Sequence, residues 1–243
     1  MQRVFIDNNL DSRVVLTGEE YHHLAEVLRY QPGKTFEVAD TNGQVAVYEL
    51  SRIDIDQKQL HAKRISENSR NSELPVEVTL ICALTKGKKI DETVEKGTEF
   101  GASHFVFYPS KFSPLKYSDE WGQKKEERLN KIALSAAKQS HRNVVPSVEI
   151  VRSWSECDLD AQIKFLAYEK TDPTGLNFKA SLDKLSPGTS VCCAFGPEGG
   201  YDVLEVDEFI DHGFQDISLG QRILRAENAP IFFLSVLSFY FEL

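Results

Sequence analysis

The spacing of hydrophobic residues changes near residue 75, and that change divides the chain. Before it, short apolar runs alternate with polar residues. Val4–Ile6 reads as a short strand, and Gln59–Ile65 as another. Thr35–Asp40 and Gln44–Leu50 alternate about Asn42-Gly43, a strong hairpin signal. Thr17-Gly18-Glu19-Glu20 has capping-box spacing and predicts a helix carrying Leu24, Val27 and Leu28. Residues 1–70 are therefore expected to form a small, mostly β, barrel-like domain. The polar stretch that ends at Pro75 is the expected linker, placed at 71–75.

From Val76 onward strands and helices alternate. Val76–Leu84, His104–Tyr108, Val144–Ile150 and Ile163–Tyr168 read as strands. Ile90–Phe100 reads as a helix ending at Gly101. Residues 123–141 place Leu129, Ile132, Ala133, Ala136 and Ala137 on one helical face. This alternation predicts an α/β domain over 76–243, with a mainly parallel sheet and helices on both faces. The last helix, Ile231–Leu243, is apolar nearly all round, so it must be covered on several sides. A central core helix and a helix shared with a second subunit both satisfy that pattern. It is too short to cross a bilayer, and the N-terminal residues lack the pattern of a signal peptide.

Composition adds two constraints. Cys82, Cys157, Cys192 and Cys193 form no C-x-x-C pair, which reads as inert thiols in a reducing cytoplasm and argues against a zinc site. No metal constellation is expected. The formal net charge of −9 is unevenly spread. Residues 143–243 carry 7 Lys/Arg against 16 Asp/Glu, whereas residues 86–142 carry 12 against 8. A local basic surplus of that kind suits a polyanion, although a solvated helix face explains it equally well on charge alone.

Two glycine-centred segments carry the chemistry. Phe195-Gly196-Pro197-Glu198-Gly199-Gly200-Tyr201 follows the apolar run Val191–Ala194. Leu219-Gly220-Gln221-Arg222-Ile223-Leu224-Arg225-Ala226-Glu227 follows Asp216-Ile217-Ser218. Between them, Asp202 and Glu205 are spaced as a capping box. Each glycine segment reads as a loop at the carboxyl end of a buried strand, where open α/β sheets bind ligands. Neither matches a P-loop or the dinucleotide fingerprint, which weakens kinase, ATPase and dehydrogenase readings. Arg222 and Arg225 stand beside the second loop, where they suit an anionic substrate, while an Arg225–Glu227 ion pair is the plainer alternative.

These two motifs resemble those of the ribosomal RNA small-subunit methyltransferase E family, within the knotted SPOUT superfamily. Lys96-Gly97-Thr98-Glu99-Phe100-Gly101, the segment Ala136–Pro146, and His23-Leu24 with Val27-Leu28-Arg29 resemble further family motifs. The match runs essentially the whole length. The resemblance implies an N-terminal PUA-like RNA-binding domain and a C-terminal methyltransferase domain with a deep trefoil knot. It also implies a homodimer that methylates uridine N3 in 16S ribosomal RNA.

The implied cofactor is S-adenosylmethionine. Its implied contacts are Leu166, Ala167, Tyr168 and Glu169; Phe195, Gly196, Pro197, Glu198, Gly199 and Gly200; and Leu219, Gly220, Ile223, Leu224 and Arg225. Arg225 and Arg222 are the expected substrate and charge-stabilising residues, and Glu198 the candidate proton acceptor. The expected RNA surface comprises Arg3, His23, Arg29, Lys86, Lys111, Lys116, Lys124, Lys125 and Arg142. The chain departs from the family pattern at Phe112, where an arginine is usual, at Asn228, where a threonine is usual, and at Phe100. The alternatives are a different SPOUT RNA methyltransferase or an RNA-binding ribosome-assembly factor without catalysis.

Overall fold

The computed structural model describes residues 1–157, 160–171 and 176–243. Its strands are β1 (Arg3–Phe5), β2 (Arg13–Leu16), β3 (Thr35–Ala39), β4 (Val45–Asp54), β5 (Gln59–Asn68), β6 (Glu77–Ala83), β7 (His104–Tyr108), β8 (Ser147–Ile150), β9 (Ile163–Ala167), β10 (Ser190–Phe195) and β11 (Gln215–Ile217). Its α-helices are α1 (Gly18–Tyr21), α2 (Lys89–Glu99), α3 (Asp119–Ser140), α4 (Leu176–Leu182), α5 (Val203–Asp211) and α6 (Ala229–Glu242). They fall into two compact units, residues 1–73 with 137–144, and residues 74–136 with 145–243. The second crossing, at 137–144, has no counterpart in the linear boundary expected at 71–75.

In the first unit, five strands are ordered β1-β3-β4-β5-β2, antiparallel except for β1 against β3. The pairings leave β1 and β2 at the edges of a curled sheet. Register shifts in β4 at Val47/Tyr48 and Leu50/Arg52 bend it over one core. Val4, Leu24, Phe36, Val38, Tyr48, Leu50 and Leu60 fill that core. The capping box expected at Thr17 does not form. Glu20 instead binds Lys138, and the chain continues from α1 into a π-helical turn over His22–Val27.

Arg3 and Arg142, both expected on an RNA surface, are core residues of this unit. Arg3 is 1% exposed and donates to Glu37, to the carbonyls of His141 and Arg142, and to Asn143. Arg142 is 3% exposed and makes a forked ion pair with Glu73. Their donors are committed to the protein, which removes both from any phosphate contact. Burial pushes the Glu37 carboxyl upward, but the bond from His141 and the charge of Arg3 outweigh it and hold the group below its ordinary pKa.

The second unit is a six-stranded sheet ordered β11-β9-β10-β6-β7-β8, and every pairing is parallel. Side chains alternate across it. Leu80, Cys82, Phe105, Phe107, Phe165, Cys193 and Phe195 face one core, which holds Ile90 and Val94 of α2, Leu129 and Ala133 of α3, and Phe233 and Leu237 of α6. Ile81, Ala83, Val106, Leu166, Cys192 and Ala194 face the other, with Trp154 and Phe209 of α5. Helices thus cover both faces, as expected for a buried parallel sheet. Burial raises the thiol pKa of Cys192 to about 12 and lifts Cys193 well above its ordinary value, so neither thiol is poised as a nucleophile.

Candidate functional site

Because β11, β9 and β10 are parallel neighbours, their carboxyl ends lie side by side at one edge of the sheet. Three loops leave that edge. The first begins at Tyr168, whose N–H donates to the Ile217 carbonyl at 3.1 Å, and is tied to β11 where Thr171 Oγ1 donates to Asp216 at 2.8 Å. The second is the Gly196–Tyr201 loop after β10. The third is the Ser218–Asn228 loop after β11, which leads into α6.

The glycines let these loops come close. Gly200 has φ +73°, a conformation that favours glycine, and a Cβ there would stand 2.8 Å from Glu169 Oε1, so the first and second loops approach each other here. Gly220 has φ +109°, and open space lies where its Cβ would be. Its N–H donates to Ser218 Oγ at 3.2 Å. The capping box of α5 forms as expected, with Asp202 accepting from Leu204 N–H and Glu205 from Asp202 N–H. It turns the chain sharply after the glycine loop.

Lys89, at the start of α2, joins the second and third loops. Its Nζ lies 2.9 Å from Glu198 Oε1 and 3.3 Å from Glu227 Oε2. Glu227 Oε2 is buried and makes no hydrogen bond, so Lys89 meets it as an ion-pair neighbour with poor hydrogen-bond geometry. The Glu198 bond raises the lysine pKa. Burial works against ionisation of Glu198, but the Lys89 bond and backbone N–H groups prevail and lower its pKa. The Arg225–Glu227 pair considered from sequence does not form among the described residues; Glu227 turns to Lys89. Sequence reasoning grouped Lys89 with a basic surface. Its partners are more than 100 residues away, and no local pattern marks that pairing.

The other expected site residues divide by exposure. Arg222, Arg225 and Ile223 are exposed on the third loop, and Leu219 and Leu224 are partly buried. Leu166, Phe195 and Pro197 are buried beneath the loops. Of the expected RNA contacts, Lys86 and Lys116 are exposed. Lys111 binds Asp202 at 2.7 Å, Lys124 binds Glu120 at 2.7 Å, and Lys125 shares Asp91 with Arg128. In the first unit Arg29 is exposed, and His23 lies 3.3 Å from Gln2 Nε2. A cleft of about 640 Å³ in that unit is lined by Asn42, Arg64, Asn68, Arg70 and Asn143 among others, and none of the expected site residues lines it.

A parallel sheet with glycine loops at one edge, joined to a small β domain, defines a two-domain α/β protein with a loop-built ligand site. The family model of the RNA methyltransferase domain matches residues 72–238, and that of the RNA methyltransferase PUA domain matches residues 16–63. The chain is 35% identical to a ribosomal RNA small subunit methyltransferase E of Bacillus subtilis, over 100% of this chain and 98% of that one. A protein of the same name from Synechocystis is 35% identical over 91% of this chain and 71% of its own. Among solved structures, a Neisseria gonorrhoeae ribosomal RNA small subunit methyltransferase E bound to S-adenosyl methionine is 26% identical, with a TM-score of 0.84 over 98% of this chain and 97% of that one. This chain belongs to the ribosomal RNA small subunit methyltransferase E family.

The Lys89 bridge makes a quantitative prediction. In a double-mutant cycle of Lys89→Met and Glu227→Gln, read by urea unfolding, the pair should show a coupling on the order of 1 kcal/mol, because Glu227 is largely shielded from water. Strict additivity would mean that the bridge contributes nothing to holding the loops.

Proposed function

We propose that this chain transfers a methyl group from S-adenosylmethionine to N3 of a uridine in 16S ribosomal RNA of the small subunit. In this reading it works in the cytoplasm as a homodimer, and its methyltransferase domain is threaded as a deep trefoil knot. The observation that carries the proposal is the convergence of three loops at one sheet edge, two of them shaped by glycines, in a chain similar over its full length to proteins of that name.

The loops fit such a cofactor. Gly220 leaves open space at the third loop. Backbone groups of 167–169, 196–200 and 219–224 would hold it, with Leu166, Phe195 and Pro197 as the apolar floor. When bound, S-adenosylmethionine supplies an electrophilic methyl group.

The protein's part is orientation and charge. Uridine N3 carries a proton at neutral pH, so negative charge develops on the uracil as that proton leaves. Arg225 and Arg222, exposed on the third loop, would stabilise it. Glu198 is a weak proton acceptor, since its pKa is already lowered and its carboxylate is tied to Lys89. Its role in this reading is to anchor the glycine loop. N3 lies on the pairing edge, so the target base must be unpaired or flipped out.

A homodimer is the reading of α6 that its exposed residues support. Leu234 and Leu237 are buried within the chain, whereas Phe239 is 70% exposed and Phe232, Tyr240 and Leu243 are exposed with it. Sedimentation should give twice the chain mass for the wild type and a folded monomer for Phe239→Arg. A wild-type monomer at micromolar concentration would contradict it.

The activity test uses small subunits from cells lacking this enzyme. The wild type should methylate one uridine, with 3-methyluridine found on nucleoside analysis. Arg225→Ala should lower the single-turnover rate by about 100-fold or more at saturating RNA. Methylation of a ribose or another base would overturn the N3 assignment. Cofactor binding without transfer would instead favour an assembly factor.

A further inference from the structure

We propose that Phe112 is a stacking platform for a base of the RNA substrate beside the glycine loop. The inference rests on the RNA-methylation reading above and names a substrate-contacting residue for the same site.

Phe112 lies in the loop after β7, on the same sheet edge as the loops after β6 and β10. It is 46% exposed. Its side chain rises from the middle of the glycine loop: a Cβ on Gly199 would stand 3.0 Å from Phe112 Cβ and 3.6 Å from its Cγ. A side chain at 199 would therefore press on Phe112, which packs its Cβ against the glycine backbone.

Single exposed apolar residues are common on protein surfaces and by themselves mean nothing. Phe112 differs in being held. Ser113 N–H donates to the Ser110 carbonyl at 3.0 Å, and Ser110 N–H to Ser113 Oγ at 3.0 Å, closing the loop on itself. Glu205 Oε1 accepts from Lys111 N–H at 2.9 Å, and Glu205 Oε2 from Ser110 Oγ at 3.2 Å. Lys111 Nζ reaches Asp202 at 2.7 Å. The capping box that turns the chain out of the glycine loop thus also clamps the segment carrying Phe112. These bonds fix the backbone that presents the half-exposed ring, so less of the segment has to be ordered when a flat partner lands on it.

The chemistry of the neighbourhood favours a nucleobase as that partner. Every base presents a π-face to an aromatic ring, so stacking tolerates any sequence. Exposed Lys86 and Lys88, in the loop after β6, supply cations for the attached phosphates. Lys111 Nζ is 5.7 Å from the ring centroid, but Asp202 holds it. In this loop the exposed phenyl group and the exposed Lys116 remain to meet a ligand.

The test uses the full chain with Phe112→Ala, Phe112→Leu, Phe112→Tyr and Phe112→Trp. Three readouts are taken: affinity for a labelled single-stranded oligouridylate, KM and kcat on small-subunit RNA, and cofactor affinity by calorimetry. Phe112→Ala should weaken RNA binding and raise KM by about 10-fold or more, the range of one lost base stack. Phe112→Tyr should restore both values and Phe112→Leu should not. Cofactor affinity should stay within about twofold, and the Phe112→Trp emission should be quenched on adding RNA.

Wild-type RNA affinity in Phe112→Ala would overturn the proposal, as would a Leu variant equal to Phe, which would indicate packing alone. Equal loss of cofactor affinity would assign the ring to the cofactor or to loop support. Wild-type protein that methylates nothing, with Phe112→Ala still losing RNA, would instead overturn the methyl-transfer reading and leave the stacking role standing.

Discussion

The arrangement of the site depends on the parallel pairing of β10 between β9 and β6. Six residues of β10 pair with β6 and five with β9, and β11 continues the parallel order on the far side of β9. Parallel pairing sends every carboxyl end to one edge, and full burial of these strands fixes their register. A one-residue slip of β10 would exchange Cys193 and Phe195 with Cys192 and Ala194 across the two cores. The loops therefore inherit their positions from apolar alternation that lies wholly beneath them.

Charge then refines what the backbone places. The chain is acidic overall, yet cations sit where carboxylates of the site would otherwise stand unpaired. Lys89 lies between Glu198 and Glu227, and Lys111 lies against Asp202. Asp91 does the converse work on α2 by holding Lys125 and Arg128 of α3. Much of the basic surplus in residues 86–142 is thus spent inside the protein, which makes exposed residues such as Lys86, Lys88 and Lys116 the better candidates for a polyanion.

Period-two alternation and glycine placement made the second sheet legible in the sequence, and both glycine motifs do follow strands. The capping box at Asp202 was readable because all its partners lie within three residues. The similar pattern at Thr17 misled, because Glu20 found Lys138 and the helix opened into a π turn. Short β2 and α4 were missed; β2 has only four residues, and just two of them are buried. Arg3 and Arg142 looked like surface cations, since arginine is usually exposed, and only distant Glu37 and Glu73 draw them inside. The pairing of Lys89 with Glu198 and Glu227 was missed for the same reason. Interactions across long stretches of chain leave no local trace, whereas interactions within a turn do.

The proposed function requires one ligand to be held jointly by the loops after β9, β10 and β11. Amide hydrogen exchange of the full chain, with and without saturating S-adenosylmethionine, tests it most directly. Exchange should slow in all three segments, 167–171, 196–201 and 218–226, with the first unit unchanged. Protection confined to one loop, or appearing only in the first unit, would contradict it.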